Sequence, residues 1–142
     1  MFFCSSLQLD SSDIRNVKLS NISLTRELTI EPGSTFDAFL RLPPEAVRNR
    51  AYNASSEIYS LGIMLWEMWY GQEAFLEMKG QDLEVFLVSV EEGRRPELTD
   101  LTTQTSMRWS ELLSGCWEKN AAERNTLADC KSAVTAMLHN YK

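Results

Sequence analysis

The sequence has few of the residues that metal sites, disulfide frameworks and membrane spans require. It has a single histidine, His139, and three cysteines. Cys4, Cys116 and Cys130 are odd in number and lack the paired spacing of a zinc site or a disulfide framework, so we expect buried thiols in a reducing, cytoplasmic location. The longest apolar run, 61–66, is interrupted by a glycine and is far too short to cross a bilayer.

Basic side chains are also in the minority. The chain has 14 Lys and Arg against 20 Asp and Glu, for a formal net charge of −6, and all of the acidic excess falls after residue 56. This balance disfavours a surface that follows phosphate groups, so nucleic acid and membrane are not expected partners. At 142 residues and 44% hydrophobic content the chain is of single-domain size with one core.

The chain does contain a pattern of short strands followed by helices. Residues 7–9 and 17–19 flank the turn-rich cluster 10–13, which predicts a β-hairpin within 1–23. Residues 24–41 show no clean periodicity, so 24–45 are predicted to be a loop, with a short helix beginning at its prolines. Residues 46–142 are predicted to be helical. We therefore interpret 1–142 as one domain.

The most distinctive predicted helix runs from Glu57 to about Tyr70. Ser55 or Ser56 is the expected N-cap, and Gly71 is the expected C-terminal stop. A helix that is apolar on every side is enclosed by protein, so we expect neighbouring helices to surround this one. Its apolar residues are Ile58, Leu61, Ile63, Met64, Leu65, Trp66, Met68 and Trp69.

Three more helices are predicted after it. One covers 82–91 and ends near Gly93, one covers 107–116, and one covers 126–140 with Asn125 or Thr126 as its cap. Tryptophans at helical positions are expected in the core. The predicted core residues of the last two helices are Met107, Leu112, Leu113, Cys116, Leu127, Cys130, Val134, Met137 and Leu138.

Four short sequence motifs occur in a characteristic order along the chain. They are Leu-Pro-Pro-Glu at 42–45, Glu-Ile-Tyr-Ser-Leu-Gly at 57–62 running on to Leu-Trp-Glu at 65–67, Gly-Arg-Arg-Pro at 93–96, and Cys-Trp at 116–117 followed by Arg124. Together they resemble the Ala-Pro-Glu motif, central helix, Gly-x-Arg-Pro turn and Cys-Trp segment of the protein kinase C-terminal lobe, in its tyrosine-kinase-like branch. The resemblance covers roughly 6–138. It implies a mainly α, C-lobe-like helical bundle around a buried central helix, with a short N-terminal β-hairpin.

The resemblance also implies a degenerate phosphate-handling site. Residues 17–24 resemble the stretch through the family's Asp-Phe-Gly, which puts Asn21 where the magnesium-binding Asp belongs. Ser6 stands where the family has the catalytic-loop Asn, and the catalytic Asp would fall at or before Met1. No Gly-x-Gly-x-x-Gly is present. The resemblance therefore assigns no catalytic residue and no metal ligand, and it implies ATP and magnesium only if an N-terminal lobe is supplied.

The structural residues of the family match better. In the kinase family, the Glu of Ala-Pro-Glu forms an ion pair with the Arg that follows the Cys-Trp segment. The resemblance therefore implies an ion pair between Glu45 and Arg124. Glu57 replaces the Asp that anchors the catalytic loop, and we interpret it as a charge at a helix N-terminus. The resemblance places four residues on the central helix: Glu57, Tyr59, Gly62 and Trp66.

The resemblance also bears on a docking surface, on the peptide platform and on the activation segment. Phe75, Leu76 and Met78 follow the central helix and predict an apolar docking surface with an acidic rim. Arg41 occupies the place of an aromatic residue that supports the family's peptide platform. The activation-segment-like loop, 24–45, also contains hydroxyl side chains that phosphorylation would order against a basic residue. These are Thr25, Thr29, Ser34 and Thr35.

Three functions are consistent with these observations. The first is a pseudokinase-like module that binds a protein partner through the helical lobe without transferring phosphate. The second is a truncated piece of a longer Ser/Thr or Tyr kinase whose activity belongs to the parent protein. The third is an unrelated small helical adaptor. A lone C-lobe exposes the surface that meets the N-terminal lobe, so self-association is also expected.

Overall fold

The computed structural model describes residues 3–10, 13–23, 39–99 and 101–139, with side chains for 39–99 and 101–139. A β-hairpin comes first and helices follow, which confirms the predicted mainly α fold. The elements are β1 (Phe3–Asp10), β2 (Asp13–Ser23), α1 (Pro44–Asn49), α2 (Ala54–Tyr70), α3 (Leu83–Glu91), α4 (Gln104–Cys116) and α5 (Leu127–His139), with short 3₁₀ helices at Leu76–Met78 and Ala121–Glu123.

The N-terminal hairpin is longer than its sequence pattern predicted. Strands β1 and β2 are antiparallel, with Phe3 opposite Ser23 and Leu9 opposite Val17, and the register is irregular after Leu9. The predicted strands 7–9 and 17–19 lie inside this ladder. The predicted loop residues 24–38, including Thr25, Thr29, Ser34 and Thr35, lie outside the described residues.

Helix α2 begins with a different cap from the predicted one. The Asn53 side chain accepts a hydrogen bond from the Ser56 backbone N–H at 3.0 Å, and the Ser56 hydroxyl accepts one from the Asn53 N–H. This reciprocal arrangement is a capping box, so Ser56 is its third-position member and the predicted Ser55 or Ser56 N-cap is wrong. Ser55 instead donates to the Ala121 carbonyl at 2.6 Å. Gly71 ends the helix with a φ of 62°, as predicted.

Helix α2 is enclosed over most of its length. Tyr59 and Ile63 have no exposed surface, and Trp66 is 6% exposed. The last turn differs, because Met68 is 53% exposed and Trp69 is 44% exposed. Trp69 is covered on one face by Trp109, whose ring lies 5.0 Å away and nearly parallel. The prediction of a fully enclosed helix is therefore right for the middle turns and wrong for the last one.

Two buried clusters meet at α2. The larger cluster joins α1, α2, α3 and the segments between them, and includes Tyr59, Trp66, Phe86 and Trp117. The smaller cluster joins α2 to α4 and α5. Its members are Ile58, Leu112, Cys116, Cys130 and Met137. The central helix thus contributes to both clusters, as the C-lobe resemblance implies.

Three predicted core residues are exposed. Met107 on α4 is 50% exposed, and Leu127 and Leu138 on α5 are 68% and 65% exposed. The buried line along α5 runs from Cys130 to Met137, and both leucines lie beyond its ends. The α5 cap is Thr126, whose hydroxyl accepts from the Asp129 N–H at 3.2 Å, while the Asp129 carboxylate accepts from the Thr126 N–H.

An exposed ion network connects α1 to α3. The Arg48 guanidinium donates to Glu84 at 2.8 Å and also to Glu91. The hydrogen bond from Arg48 holds the pKa of Glu91 below its usual value. Among the described residues, no helix has the length and hydropathy needed to cross a membrane.

The Asn53 cap gives a first testable prediction. Asn53→Ala is expected to lower the free energy of unfolding by about 1 kcal/mol, because it removes the acceptor for an unpaired N–H in the first turn of α2. Urea unfolding followed by circular dichroism measures the change. Asn53→Ser retains a capping oxygen and is expected to stay close to wild type. If the alanine and serine variants unfolded at the same urea concentration, the result would contradict a stabilising role for this cap.

Candidate functional site

The first half of the candidate site is the start of α1. Pro44 is the first helical residue, where proline needs no N–H partner and its fixed φ suits the helix. Glu45 follows in the first turn, where the helix dipole favours a carboxylate. Arg50 ends the helix in a left-handed conformation with a φ of 50°. This short helix therefore directs the Glu45 carboxylate towards the rest of the helical bundle.

The second half is Arg124, which follows the 3₁₀ helix Ala121–Glu123. Its side chain is 1% exposed, and its Nη1 lies 2.6 Å from Glu45 Oε1. The same guanidinium donates to the Glu118 carbonyl at 2.9 Å and to the Ser55 carbonyl at 3.2 Å. One buried cation thus connects α1, the start of α2 and the segment between α4 and α5. The structure places Glu45 and Arg124 together, although 79 positions separate them.

Two guanidinium groups lie over the Tyr59 ring. Arg124 lies over the ring at 5.0 Å from its centroid, and Arg95 lies over it at 5.5 Å. Arg95 also donates to the Trp117 and Val90 carbonyls, both at 2.8 Å. Burial raises the pKa of Tyr59 to about 12, although both arginines lower it. Within the described part of the chain the buried Tyr59 hydroxyl has no hydrogen-bond partner, so this ring acts through its π face.

Two other central-helix residues hold neighbouring segments. A Cβ added at Gly62 would lie 2.6 Å from the Cys116 Cβ, so only glycine permits α4 to approach α2 this closely. Trp66 Nε1 donates to the Glu97 carbonyl at 2.8 Å, which ties α2 to the chain after the Gly-Arg-Arg-Pro turn. Tyr59, Gly62 and Trp66, which were named from the sequence, therefore each contact a different neighbouring segment.

The structure adds an ion pair that the sequence did not indicate. Arg41 Nε donates to Glu67 Oε2 at 2.8 Å, and Glu67 Oε1 accepts from the Ala74 backbone N–H at 3.0 Å. Glu67 is the only charged residue within the apolar run 58–70 of α2. This isolated charge was the feature of the sequence that could have indicated a charged partner. The pair joins the segment before α1 to the central helix.

A family comparison agrees with this framework. The family model described as protein tyrosine and serine/threonine kinase matches residues 11–134. The chain belongs to this family. The matched range contains the Glu45–Arg124 pair and all of the central helix.

Among relatives of this kinase-family chain, ephrin type-A receptor 8 of Mus musculus is 29% identical over 130 residues, covering 87% of the chain and 12% of the receptor. Ephrin type-A receptor 3 of Danio rerio is 28% identical over 131 residues, covering 87% and 13%. A probable serine/threonine-protein kinase of Dictyostelium discoideum is 25% identical over 121 residues, covering 84% and 9%. The chain thus spans 9–13% of the length of these three relatives.

The docking surface expected in this kinase-family chain is not built as predicted. Phe75 is 2% exposed and Met78 is 3% exposed, whereas Leu76 is 57% exposed. Phe75 packs edge-on against Phe86 at 5.1 Å, and the Met78 sulfur accepts from the Ser89 hydroxyl at 3.6 Å. The tight 3₁₀ turn puts positions three apart on the same side, so Phe75 and Met78 both face the core.

Glu57 retains an acidic position in the first turn of the central helix. It is half-buried, and its Oε1 is buried without a hydrogen-bond partner in the part of the kinase-family chain that the structure describes. The positive end of the helix dipole favours a carboxylate in this position. This placement fits the interpretation of Glu57 as a helix-terminal charge.

The two positions that the resemblance matches to the kinase magnesium site lie on the hairpin. Ser6 on β1 is opposite Ser20 on β2, and Asn21 follows Ser20. The pair Asn21 and Ser6 offers only neutral oxygens, whereas magnesium beside phosphates is held by carboxylates. Residues 39–99 and 101–139 contain no group of three potential metal ligands. This donor set does not fit a magnesium ion.

Proposed function

We propose that this kinase-family chain is a non-catalytic module that binds a protein partner through its helical lobe. The observation that carries the proposal is the neutral donor pair, Asn21 and Ser6, where the family places its magnesium ligands. Phosphoryl transfer depends on positioning and on neutralising phosphate charge, so an amide in place of a carboxylate removes a main contribution. We propose no resident cofactor.

The internal contacts support a binding role. The Glu45–Arg124 pair, the contacts of two arginines with the Tyr59 ring and the Gly62–Cys116 contact all hold helices together. Side chains locked by such contacts give a rigid surface, and a rigid surface loses little entropy when a partner binds. Exposed apolar side chains such as Met68, Leu76 and Met107 are accessible for contact with a partner.

The alternative function is a piece of a longer kinase that transfers phosphate from ATP to protein. The small share of each relative that the chain covers favours this alternative. The contacts around Arg124 are compatible with both functions, because they hold the helices together and take no part in phosphate transfer. Magnesium dependence separates the two, since only the catalytic function requires the metal next to nucleotide phosphates.

A thermal-shift titration with ATP, with and without magnesium, tests the proposal. The protein is expressed from its complete coding sequence, so that any N-terminal lobe is present. We expect no magnesium-dependent rise in melting temperature. A ligand at about 100 times its Kd stabilises a native state by about 2.7 kcal/mol, which is several degrees in a domain of this size. The expected absence of a shift is therefore a clear result.

The matched control is Asn21→Asp, which restores the carboxylate at the same position. A magnesium-dependent shift that appears only in this variant would identify the amide as the group that prevents metal binding. A saturable, magnesium-dependent shift in the unaltered protein, together with transfer of labelled phosphate to a protein substrate, would contradict the proposal and support the alternative.

A further inference from the structure

Two cysteine thiols meet in the smaller buried cluster, away from the positions discussed for nucleotide chemistry. Cys116 is the last residue of α4 and Cys130 lies in the first half of α5. Their sulfur atoms are 3.5 Å apart, and the residues are 0% and 4% exposed. Both are free thiols. Fourteen positions separate them, so their contact arises from the packing of α4 against α5.

The separation is close to what a covalent link requires. A disulfide bond is about 2.05 Å long, so the two sulfurs need to approach by roughly 1.5 Å. Cys116 lies where α4 packs closely against the central helix, because a Cβ added at Gly62 would be only 2.6 Å from the Cys116 Cβ. We expect α5 to make most of the shift.

Helix α5 is held less tightly than α4. Its buried side chains are Cys130 and Met137, while Leu127 and Leu138 at its two ends are mostly exposed. A helix with few buried apolar contacts adjusts at small cost and opens locally more readily than the core. Cys130, on the more adjustable helix α5, thus lies next to Cys116 on α4.

We propose that Cys116 and Cys130 form a reversible disulfide, joining α4 to α5, when the protein meets a small-molecule disulfide such as oxidised glutathione. The Cys130 thiolate attacks one glutathione sulfur, forming a mixed disulfide and releasing one glutathione thiolate. The Cys116 thiolate then attacks the Cys130 sulfur and releases the second. The two cysteines lose two protons and two electrons, and oxidised glutathione becomes two reduced molecules.

Burial makes this exchange slow and conditional on opening. It raises the pKa of the Cys116 thiol to about 12, and the neighbouring Cys130 thiol contributes to the rise. Only the thiolate reacts, so the first exchange waits for α5 to separate from α4. The pair then responds to sustained oxidation and not to a brief exposure.

The link would enclose the segment that carries Arg124. Residues 117–129 form the loop between the two cysteines, and this loop includes the 3₁₀ helix Ala121–Glu123 and the arginine that binds Glu45. Closing a loop by a disulfide restricts the unfolded chain and so favours the native state. Oxidation is therefore expected to stabilise the Glu45–Arg124 junction.

The test uses the full chain with Cys4→Ser, which leaves only the two buried thiols. The folded protein is incubated with oxidised glutathione, then alkylated and digested without reduction. Mass spectrometry is expected to find a peptide pair joined between 116 and 130, two hydrogens lighter than the reduced pair. The melting temperature is expected to rise by several degrees and to return after dithiothreitol.

The matched control adds Cys130→Ala. Its melting temperature is expected to be the same before and after oxidation, whatever its starting value, because each sample is compared with itself. Two results would overturn the proposal. One is a lasting glutathione adduct on either cysteine without the internal link. The other is free thiols in the folded protein after an incubation many times longer than the one that fully links a urea-unfolded sample.

Discussion

Arg124→Ala is expected to lower the free energy of unfolding by about 3–5 kcal/mol, because it breaks a buried ion pair and leaves its other acceptors without a donor. The Arg124 side chain is 1% exposed and bonds to Glu45, to two backbone carbonyls and to the face of Tyr59. Glu45→Ala is expected to cost less, about 2–3 kcal/mol, because the Glu45 side chain is 34% exposed and water screens part of the interaction.

A double-mutant cycle with urea unfolding measures the coupling. The two alanine variants are expected to be non-additive by about 1–3 kcal/mol, since each removes the same contact. Arg48→Ala is the control, because Arg48 also bonds two carboxylates but lies at the surface, and little change is expected. Additive effects of Glu45→Ala and Arg124→Ala would show that this contact does not hold the framework.

Gly62→Ala is expected to be the most damaging one-atom change in the central helix. The added methyl would lie 2.6 Å from the Cys116 Cβ, an atom fixed by the α4 backbone, so the two helices must separate. Overpacking of this kind costs about 1–3 kcal/mol, and it opposes the gain of about 1 kcal/mol that alanine brings to a helix. Thermal unfolding of the variant measures the net loss.

Gly115→Ala is the matched comparison for that variant. The added Cβ at Gly115 would meet the Asn125 carboxamide at 2.5–2.7 Å, and that group ends a side chain that can rotate away. The expected cost is the hydrogen bond from Asn125 to the Leu112 carbonyl, about 1 kcal/mol, which the alanine propensity offsets. If Gly115→Ala were as damaging as Gly62→Ala, the close approach of α2 and α4 would not explain the glycine.

Sequence patterns predicted which helices form better than they predicted which residues cap them and which side chains are exposed. The Gly71 stop and the central helix followed from composition, because a left-handed end and an all-apolar segment are local properties. The Asn53 cap was missed because Asn53, Ser55 and Ser56 all carry capping oxygens, and only backbone geometry shows which one precedes the helix. The exposed last turn of α2 was missed because periodicity does not report where a neighbouring helix ends.

The candidate site shows the same division. The partners Glu45 and Arg124 were named because the family pairs these two motif positions. Glu67 ends the Leu-Trp-Glu segment, but no motif pairs it with Arg41, so that contact needed coordinates. The prediction for Phe75 and Met78 failed because a 3₁₀ turn between helices reverses which side chains face inward. The contact between Cys116 and Cys130 depends on the packing of two helices, which neither spacing nor composition reports.

The Arg124 junction also determines when the framework can be completed on the ribosome. Glu45 is synthesised 79 residues before its partner. At bacterial and eukaryotic elongation rates of about 5–20 residues per second, this gap lasts roughly 4–16 s. For that interval Glu45 lacks its Arg124 partner, and the Glu118 carbonyl that also accepts from this guanidinium is made only six residues before the arginine. The junction between α1, α2 and the segment after α4 therefore forms only after residue 124 has been synthesised.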